Sequence, residues 1–400
     1  MTVGRGSALP GADGAGGRVA RALVGLLVLA LLLAACRPAI VDTESAAPGE
    51  TVDTSTPSPE PAAALQPDVQ VSVEVRLFRG FGPADAPLQY AQALDLYRPV
   101  NLVVDIAPPI AGYDPFQVDP AADVVAVWIG AVADVAPAAA SGLKLEAVGE
   151  VTGRDTTVLV AEGKGPLKLA ALKGKTVIAD TTASAASLHA ALSAAGVPID
   201  TVDITLPDDP SAPFDPSPLL DGTAPAAAVS VYDGWARVQE AAVAAGMDPA
   251  AYYAQSLRDP ATDILGELVW VQTADMSDAK LRSAVAAFLA TLGKAEVSCR
   301  DAVEDCAGAA AAQSDRTPEG IAWSIDQLDR LLWPTQDGIL HVDPGAWDRT
   351  LAGMKAAGIE GSDGLTMTND IVDKVLVVLR PTVDVNGTGW KPRDDLPLLP

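Results

Sequence analysis

Histidine and cysteine supply many nucleophiles, proton carriers and zinc ligands, and this chain has few of either. Its 400 residues include two histidines, His189 and His341, and three cysteines, Cys36, Cys299 and Cys306. A structural zinc site uses about four closely spaced ligands, whereas these residues are scattered along the chain. The sequence therefore predicts no metal centre, and we expect each histidine at the surface or beside a site rather than acting as a base.

The motifs of common enzyme classes are also missing. The chain contains no G-x-S-x-G elbow, no H-E-x-x-H zinc motif and no G-x-G-x-x-G turn after a strand-like run. Gly174-Lys175-Thr176 resembles the end of a phosphate-binding loop, but Leu169 stands where that loop needs glycine, and the segment leads into a strand. We expect a tight turn there, no cofactor and no enzymatic activity.

The charge balance argues against a further class of function. Lys and Arg number 27 against 52 Asp and Glu, which gives a net charge of −25 at pH 7. So acidic a chain repels phosphate backbones and offers none of the counterion release that drives nucleic-acid affinity. The composition, with 49% hydrophobic residues, predicts a globular protein long enough for two domains and without nucleic acid among its partners.

The amino terminus has the pattern of an export signal. Three arginines precede an apolar run of 14 residues, Ala22 to Ala35, and then Cys36. The run is shorter than the roughly 20 residues that span a bilayer. Its end, Leu-Ala-Ala-Cys, resembles the bacterial lipobox, which implies a signal peptide over residues 1–35 and a lipidated Cys36; the alternative is a plain transmembrane anchor.

A linker follows the lipidation site. Residues 37–68 contain six prolines, six acidic residues and no aromatic residue, so this stretch cannot bury enough apolar surface to offset chain entropy. We predict a disordered tether over residues 36–69. It would hold the folded body close to the extracytoplasmic face of the cell membrane.

If Cys36 carries lipid, Cys299 and Cys306 remain, and outside the cytoplasm an even remainder suggests a disulfide. Seven residues along a straight helix separate Cα atoms by about 10.5 Å, and a disulfide tolerates at most about 7 Å. A bridge between them therefore requires a helix break, which we predict near Arg300 and Asp301.

Short runs of β-branched residues alternate with helical patterns along the remaining chain, which predicts an α/β fold with mostly parallel sheets. Helix starts are indicated at Ser184, Ser277, Thr317 and Asp343. In such folds, ligands lie beyond the carboxyl ends of the strands. The strand-like runs are Val71 to Phe78, Leu102 to Ile106, Val124 to Trp128, Thr157 to Ala161, Thr176 to Ala179, Val202 to Leu206, Ala227 to Val231 and Leu268 to Val271.

Several segments, in chain order, resemble one family. Leu172 to Ala179, with the Ser/Thr-rich loop and helix that follow, resembles the start of the second lobe of bacterial ABC-transporter substrate-binding proteins. Ala86-Pro87-Leu88 and the stretch from Ala122 to Lys144 resemble the branch that binds thiamine-pyrimidine precursors, aliphatic sulfonates and nitrate. Asp337 to Asp370 most resembles the thiamine-precursor members.

This resemblance implies a two-lobed, periplasmic-binding-protein-like (type 2) fold with a mostly parallel sheet in each lobe. The first lobe would comprise residues 70–160 and 269–390, the second lobe residues 161–268, and residues 391–400 would form a tail. Two hinge crossovers are expected at Thr157 to Ala161 and at Leu268 to Gln272. Closure about such hinges would bury a small ligand between the lobes.

The ligand is expected to contact loops at strand ends. Aromatic faces there suit a flat heteroaromatic ring, Asp233 would pair with an exocyclic amine, and Thr182 and Ser184 would hold a polar or anionic group. The candidate ligand-binding residues are Arg79, Phe81, Asp85, Trp128, Thr181, Thr182, Ser184, Tyr232, Asp233 and Trp235.

The resulting hypothesis is a monomeric, membrane-tethered solute receptor that delivers a small molecule to an ABC permease and its ATPase. The preferred ligand is a thiamine-pyrimidine precursor, and the alternative is an aliphatic sulfonate or other small anion. Two further alternatives are a sensor lipoprotein that has lost transport, and an enzyme of pyrimidine synthesis on the same lobes. The enzyme would need clustered histidine or cysteine chemistry that this sequence hardly supplies.

Overall fold

The computed structural model describes residues 65–107, 115–116, 124–209, 212–258 and 263–393. The predicted signal peptide, Cys36 and the tether up to residue 64 lie outside the described residues, as do residues 394–400 of the predicted tail. Leu65, which the sequence assigns to the tether, is buried in an apolar core of the folded body. Within the described ranges, no helix combines the length and apolarity needed to cross a bilayer.

Strands and helices alternate along the described residues. The strands are β1 (Val71–Leu77), β2 (Leu102–Ala107), β3 (Val124–Gly130), β4 (Leu145–Glu150), β5 (Thr157–Glu162), β6 (Thr176–Ala179), β7 (Asp203–Thr205), β8 (Ala226–Ser230), β9 (Tyr252–Ser256), β10 (Leu268–Gln272) and β11 (Thr366–Met367). The helices are α1 (Ala86–Ala93), α2 (Val132–Ala140), α3 (Thr182–Ala194), α4 (Ser217–Leu220), α5 (Gly234–Ala244), α6 (Ala279–Asp301), α7 (Val303–Ala311), α8 (Pro318–Leu332), α9 (Pro344–Ala356) and α10 (Asp370–Leu379).

The strands form two separate sheets, each the centre of one lobe. The first sheet has the order β11-β4-β10-β3-β1-β2, and the second has the order β7-β6-β8-β5-β9. In the first sheet β10 runs antiparallel to both of its neighbours, and in the second sheet β5 does the same. The other described pairings are parallel. The fold is therefore α/β with two mixed, mostly parallel sheets.

The chain passes from the first sheet to the second and back. Residues 151–156 connect β4 to β5, and residues 257–267 connect β9 to β10. The segments predicted as crossovers, Thr157 to Ala161 and Leu268 to Gln272, instead form β5 and β10, each paired on both sides within a single sheet. Their apolar runs reflect burial within a sheet, and the connecting residues lie immediately before them.

Strand β3 shows how the first lobe is layered. Val125, Val127 and Ile129 pack into one apolar core together with α6, whereas Ala126 and Trp128 pack into a second core on the opposite face with α2 and α9. A strand covered by helices on both faces reads as a continuous apolar run. The sheet therefore offers its ends, rather than its faces, to a ligand.

The second lobe repeats this layering on a smaller scale. Leu188 and Leu192 of α3 pack on one face of its sheet, and Val238 and Ala242 of α5 pack on the other. Thr181 caps α3, since its side chain accepts a hydrogen bond from Ser184 N at 3.1 Å. Helix α3 therefore begins at Thr182, slightly earlier than the start predicted at Ser184, and its first turn follows directly on the loop after β6.

A disulfide joins Cys299 and Cys306 at the junction of α6 and α7. Ala302, with φ −137° and ψ 61°, interrupts the helix between them, and the two cysteine Cα atoms lie 5.1 Å apart. The break falls one residue after the predicted Arg300 and Asp301. It permits a separation that a straight helix would not.

Candidate functional site

A cavity of about 460 Å³ lies between the two lobes. The first lobe contributes the loops after β1 and β3, the second lobe contributes the loops after β6 and β8, and both crossovers contribute residues. These four strands run parallel within their sheets, so their carboxyl ends meet at the cavity, as expected for an open α/β sheet.

The antiparallel strands explain why the crossovers reach the same place. Leu268, at the start of β10, is paired with Gly130 at the end of β3, and Thr157, at the start of β5, is paired with Ser230 at the end of β8. The beginning of an antiparallel strand lies at the same sheet edge as the end of its neighbours. Residues just before β5 and β10 therefore face the cavity.

Most of the candidate residues from the sequence line this cavity. They are Arg79, Phe81, Thr181, Thr182, Ser184, Tyr232 and Asp233. Asp85, Trp128 and Trp235 are not among the lining residues.

Trp128 is a core residue rather than part of the cavity wall. It is 1% exposed, its indole Nε1 donates to Pro115 O at 2.9 Å, and its ring stacks on Phe116 at 5.6 Å. Its place on β3 turns it toward the helix layer, because alternate residues of a strand face opposite sides. Trp235 is also outside the lining, since it packs against the apolar core of the second lobe. The aromatic rings at the cavity are Phe78, Phe81, Phe214 and Tyr232.

Arg79 is held by two carboxylates. Its Nε and Nη2 donate to Glu267 Oε1 and Oε2, both at 2.8 Å, and its Nη1 donates to Asp85 Oδ2 at 3.2 Å. Asp85 also accepts a hydrogen bond from Gly82 N at 3.0 Å. Burial raises the pKa of Asp85 to about 6, against the lowering effect of Arg79. Asp85 thus positions Arg79 from behind the cavity wall.

Arg79 also reaches the second lobe. Its guanidinium lies 5.7 Å from the ring centroid of Tyr232, whose hydroxyl donates to Glu267 Oε1 at 3.4 Å. Arg79 follows β1, Glu267 precedes β10 and Tyr232 follows β8. The first lobe, the second crossover and the second lobe therefore meet at one ion pair.

A second set of charges joins the lobes at the edge of the cavity, and we call it the charged rim. It consists of Asp233, Arg237 and Glu240 on the second lobe, and Asp315 and Arg316 between α7 and α8 on the first. Arg237 donates to Asp315 through two hydrogen bonds of 2.8 and 2.9 Å and to Asp233 at 3.1 Å. Arg316, whose side chain is 1% exposed, donates to Glu240 at 2.8 Å and to Tyr232 O at 3.3 Å. These bonds hold the lobes together on one side.

Apolar contact joins the lobes on another side. Helix α3 of the second lobe contacts α2 and α9 of the first. Ala186 of α3 is buried in the same cluster as Val132 and Met354 of the first lobe. The lobes are therefore in contact on two sides of the cavity.

Three further carboxyl groups line the cavity without an ion pair among the described residues: Asp134, Asp155 and Asp180. Asp134 lies in the first turn of α2, and its Oδ2 accepts from Ala131 N at 2.9 Å. Burial raises the pKa of Asp134 to about 7, although the hydrogen bond from Ala131 opposes this shift. Near neutral pH this carboxyl therefore exchanges readily between its neutral and charged forms.

Asp155 and Asp180 are held by neutral donors. Asp155 Oδ1 accepts from Thr157 N at 2.8 Å, and burial raises its pKa to about 6. Asp180 Oδ2 accepts from Ser230 N at 2.7 Å and from Ser230 Oγ at 2.9 Å. Burial also raises the pKa of Asp180, while hydrogen bonds from Ser184 and Ser230 act in the opposite direction. These donors fix the carboxyl orientation but add no positive charge.

The prediction from sequence missed these three acids, Glu267 and Phe214. Asp180 directly follows the run Thr176 to Ala179, so the rule that ligands lie beyond strand ends would have found it. Asp155 and Glu267 precede strands, and only the antiparallel directions of β5 and β10 place them at the cavity. Phe214 belongs to a proline-rich stretch whose position the sequence does not indicate.

The cavity offers hydrogen-bond acceptors, hydroxyl donors and aromatic faces. Within the described part of the chain, no group of three or more His, Cys, Asp or Glu side chains has an arrangement that could hold a metal ion. The side chains that this cavity presents to a ligand are carboxylates, hydroxyls and aromatic rings.

Known structures share this fold. The sequence matches no protein-family model and no curated protein. The alkanesulfonate-binding protein SsuA from Xanthomonas axonopodis pv. citri, bound to MOPS, is similar with a TM-score of 0.52 at 14% identity, over 76% of this chain and 99% of that chain. The periplasmic aliphatic sulphonate binding protein SsuA from Escherichia coli gives 0.51 at 17% identity, over 80% and 92%. The zinc-bound ligand binding component of an ABC-type import system from Staphylococcus aureus gives 0.53 at 11% identity, over 76% and 99%. The chain thus has the periplasmic-binding-protein-like fold.

Proposed function

We propose that this chain is the solute-binding protein of an ABC importer, which captures a small molecule between its lobes and delivers it to a permease and its ATPase. The observation that carries the proposal is the 460 Å³ cavity, which is lined by both lobes and by both crossovers. Its volume lies within the range of about 300–1,000 Å³ that is typical of small-molecule sites. Solved structures of the same fold include a ligand binding component of an ABC-type import system and a periplasmic aliphatic sulphonate binding protein.

Capture would couple ligand contact to lobe closure. A ligand that touches both lobes stabilises the closed arrangement, because those contacts exist only when the lobes are together. Opening would require backbone angles to change in the described parts of the crossovers, residues 151–156, 257–258 and 263–267, and the charged rim to separate. No covalent step is needed for this cycle.

The preferred ligand is a pyrimidine-like thiamine precursor. Phe78, Phe81 and Tyr232 supply ring faces, and offset or edge-to-face contacts with aromatic ligands are favourable. Asp180 and Ser184 supply groups that can meet an exocyclic amine or a ring nitrogen. Without Trp128 and Trp235 at the wall, this recognition would depend on the smaller rings.

An aliphatic sulfonate is the second candidate, favoured by the similarity to two sulfonate-binding proteins. The charges of this cavity do not favour a sulfonate. Both arginines that line it, Arg79 and Arg237, already carry carboxylate partners. A sulfonate would have to displace one of them or rely on backbone amides at the start of α3.

The proposal includes the membrane anchor expected from the sequence. A lipidated Cys36 and a flexible tether would keep a monomeric receptor at the extracytoplasmic face of the cell membrane, beside its permease. Mass spectrometry of the mature chain after expression in bacteria tests this point. We expect an amino-terminal cysteine that carries acyl chains, and an unprocessed amino terminus would contradict it.

A thermal-shift screen tests the binding function. The purified full-length protein is heated with thiamine, its pyrimidine fragment, aliphatic sulfonates, nitrate or nucleobases. A ligand at 100 times its dissociation constant should stabilise the protein by about 2.7 kcal/mol. We expect Phe81→Ala to remove the shift and Trp235→Ala, outside the cavity lining, to retain it. A shift with sulfonates alone would favour the second candidate, and no shift with any compound would contradict the proposed function.

A further inference from the structure

Resting on the proposed solute-binding function, we infer that the cavity selects ligands that carry positive charge on nitrogen, with Asp134, Asp155 and Asp180 as their counter-charges. The ligand class is a protonated amine, an amidinium group or a cationic heteroaromatic ring. Within the proposed ligand class this favours a protonated or otherwise cationic pyrimidine over a neutral one, and it disfavours a sulfonate.

The first reason is that three of the cavity's carboxyl groups form no ion pair with a described residue. Among the described residues six acids line the cavity, and three of them, Glu267, Asp233 and Asp315, form ion pairs with arginine. The ion pairs of the described residues include none of Asp134, Asp155 or Asp180. The lining contains no lysine and no histidine in the described ranges.

The second reason is that the lining arginines are not available to an anion. Arg79 makes the two-point pair with Glu267 and a third bond to Asp85. Arg237 makes a two-point pair with Asp315. With these charges balanced, the three remaining carboxyl groups give the cavity a net negative character when they are ionised, which a cation relieves and an anion increases.

The third reason is the placement of the three acids around the cavity. Asp134 stands on the first lobe, Asp155 on the first crossover and Asp180 on the second lobe. A cation in the cavity would be attracted by a carboxyl group on each lobe and by one on the segment that links them. Its charge would therefore favour closure directly, because separating the lobes removes at least one of these attractions.

Binding of a cation in this cavity should depend on pH. Burial raises the pKa of Asp134 to about 7 and that of Asp155 to about 6. The charged groups that act on Asp134 are Glu267 and Arg79, and Asp263 acts on Asp155. Asp233 acts on Asp180, whose pKa is also raised. A bound cation favours the charged carboxylates, so cation affinity should rise between pH 5.5 and pH 8, by about tenfold or more if Asp134 is the main contact.

Matched pairs of probes test the inference without knowledge of the natural ligand. Isothermal titration of the full-length protein at pH 8 uses two pairs, each with a cation and a neutral partner. The first pair is thiamine and its uncharged pyrimidine alcohol, and the second pair is choline and 3,3-dimethylbutanol. Ethanesulfonate is the anionic probe. We expect the cation of at least one pair to bind at least tenfold more tightly than its neutral partner, and more tightly at pH 8 than at pH 5.5. Equal or tighter binding of the neutral compounds or of ethanesulfonate would overturn the charge preference and leave the binding function standing. Binding by no compound would count against the binding function itself.

Two variants locate the effect. Asp134→Asn and Asp180→Asn should each weaken binding of the cation at least tenfold, and Asp134→Asn should also flatten its pH dependence. Asp348→Asn, an exposed acid on α9, is the control and should change neither. Circular dichroism melting checks that each variant is folded. If one of the two does not fold, Asp155→Asn is measured in its place. Unchanged affinity and pH dependence in the folded variants would overturn the assignment.

Discussion

Arg79 and Glu267 are joined by two parallel hydrogen bonds, Nε to Oε1 and Nη2 to Oε2, each 2.8 Å long. This geometry is the strong, two-point form of an arginine–carboxylate pair. It ties the loop after β1 to the second crossover, and Tyr232 of the second lobe touches both partners. An arginine, the usual partner of an anionic ligand, is thus bound to a carboxylate of the protein and helps to shape the cavity.

Removing this arginine should destabilise the protein. Arg79→Met leaves the buried Asp85 and the partly buried Glu267 without their counter-charge, and losing one member of a buried ion pair costs about 3 kcal/mol or more. Urea unfolding measures the difference. Arg98→Met is the control, because Arg98 and its partner Asp95 are exposed and such pairs contribute about 0–1 kcal/mol. Equal losses in the two variants would contradict the role of Arg79.

Arg316 should control the separation of the lobes. Its guanidinium joins Ser324 on the first lobe to Tyr232 O and Glu240 on the second. Arg316→Met removes these hydrogen bonds, so we expect a larger radius of gyration by small-angle scattering of the ligand-free protein and a weaker affinity for its ligand. Arg282→Met, an exposed substitution on α6, is the control. An unchanged scattering profile for Arg316→Met would show that the contacts of α3 suffice to hold the lobes.

Alkaline pH should destabilise the first lobe through Glu296. This carboxyl is buried, its two oxygens have no hydrogen-bond partner among the described residues, and burial together with Glu150 and Asp329 raises its pKa well above the usual value. The pKa values of Glu150 and Asp329 are both raised to about 8 by burial. A raised pKa means that the folded state holds protons that the unfolded state releases, so the stability present at acidic pH is lost as pH rises through the folded pKa.

Glu296→Gln tests this linkage, because glutamine keeps the side-chain shape and does not ionise. Urea unfolding should give the variant and the wild type similar free energies of unfolding at pH 5. At pH 9 the free energy of unfolding of the variant should exceed that of the wild type by on the order of 1 kcal/mol or more. Glu360→Gln, an exposed substitution, should leave the pH trend of the wild type unchanged. A Glu296→Gln variant with the wild-type trend would show that Glu296 does not titrate in this range.

The disulfide between Cys299 and Cys306 should contribute to stability. It closes a short loop, with a sequence separation of 7, for which the chain-entropy relation gives about 2–3 kcal/mol. The double variant Cys299→Ser/Cys306→Ser should unfold at a lower urea concentration than the oxidised wild type, and reductant should shift the wild type alone. Two free thiols in the unreduced wild type would contradict the bridge.

The regular parts of the fold could be predicted from the sequence, since each of the eight strand-like runs coincides with a strand. Buried strands such as β3 and β10 are continuous apolar runs that local composition reveals. Strands β4, β9 and β11 were not predicted. Leu145–Glu150 and Tyr252–Ser256 mix charged or polar residues with apolar ones. Thr366–Met367 is too short to show a pattern. The helix starts at Thr317 and Asp343 were predicted correctly because their capping side chains precede proline.

The site was harder to predict because it depends on strand direction and on which face a residue occupies. Trp128 was expected at the cavity because it lies near the end of a strand. Its side chain is on the face of β3 that packs against helices, and it is therefore part of the core. Asp155 and Glu267 reach the cavity only because β5 and β10 run antiparallel to their neighbours. Ion pairing between residues 188 positions apart, as between Arg79 and Glu267, leaves no local signal in the sequence.

Blocking the cavity and then measuring binding tests the proposed ligand site most directly. Thr182 lines the cavity and is exposed at the start of α3, so Thr182→Trp should fill the site without disturbing the core, and Thr366→Trp on the exposed edge strand β11 is the control. Isothermal titration with the tightest-binding compound from the probe panel should show saturable one-site binding to the wild type and to Thr366→Trp, and none to Thr182→Trp. Undiminished binding to Thr182→Trp would place the ligand elsewhere and contradict the central claim.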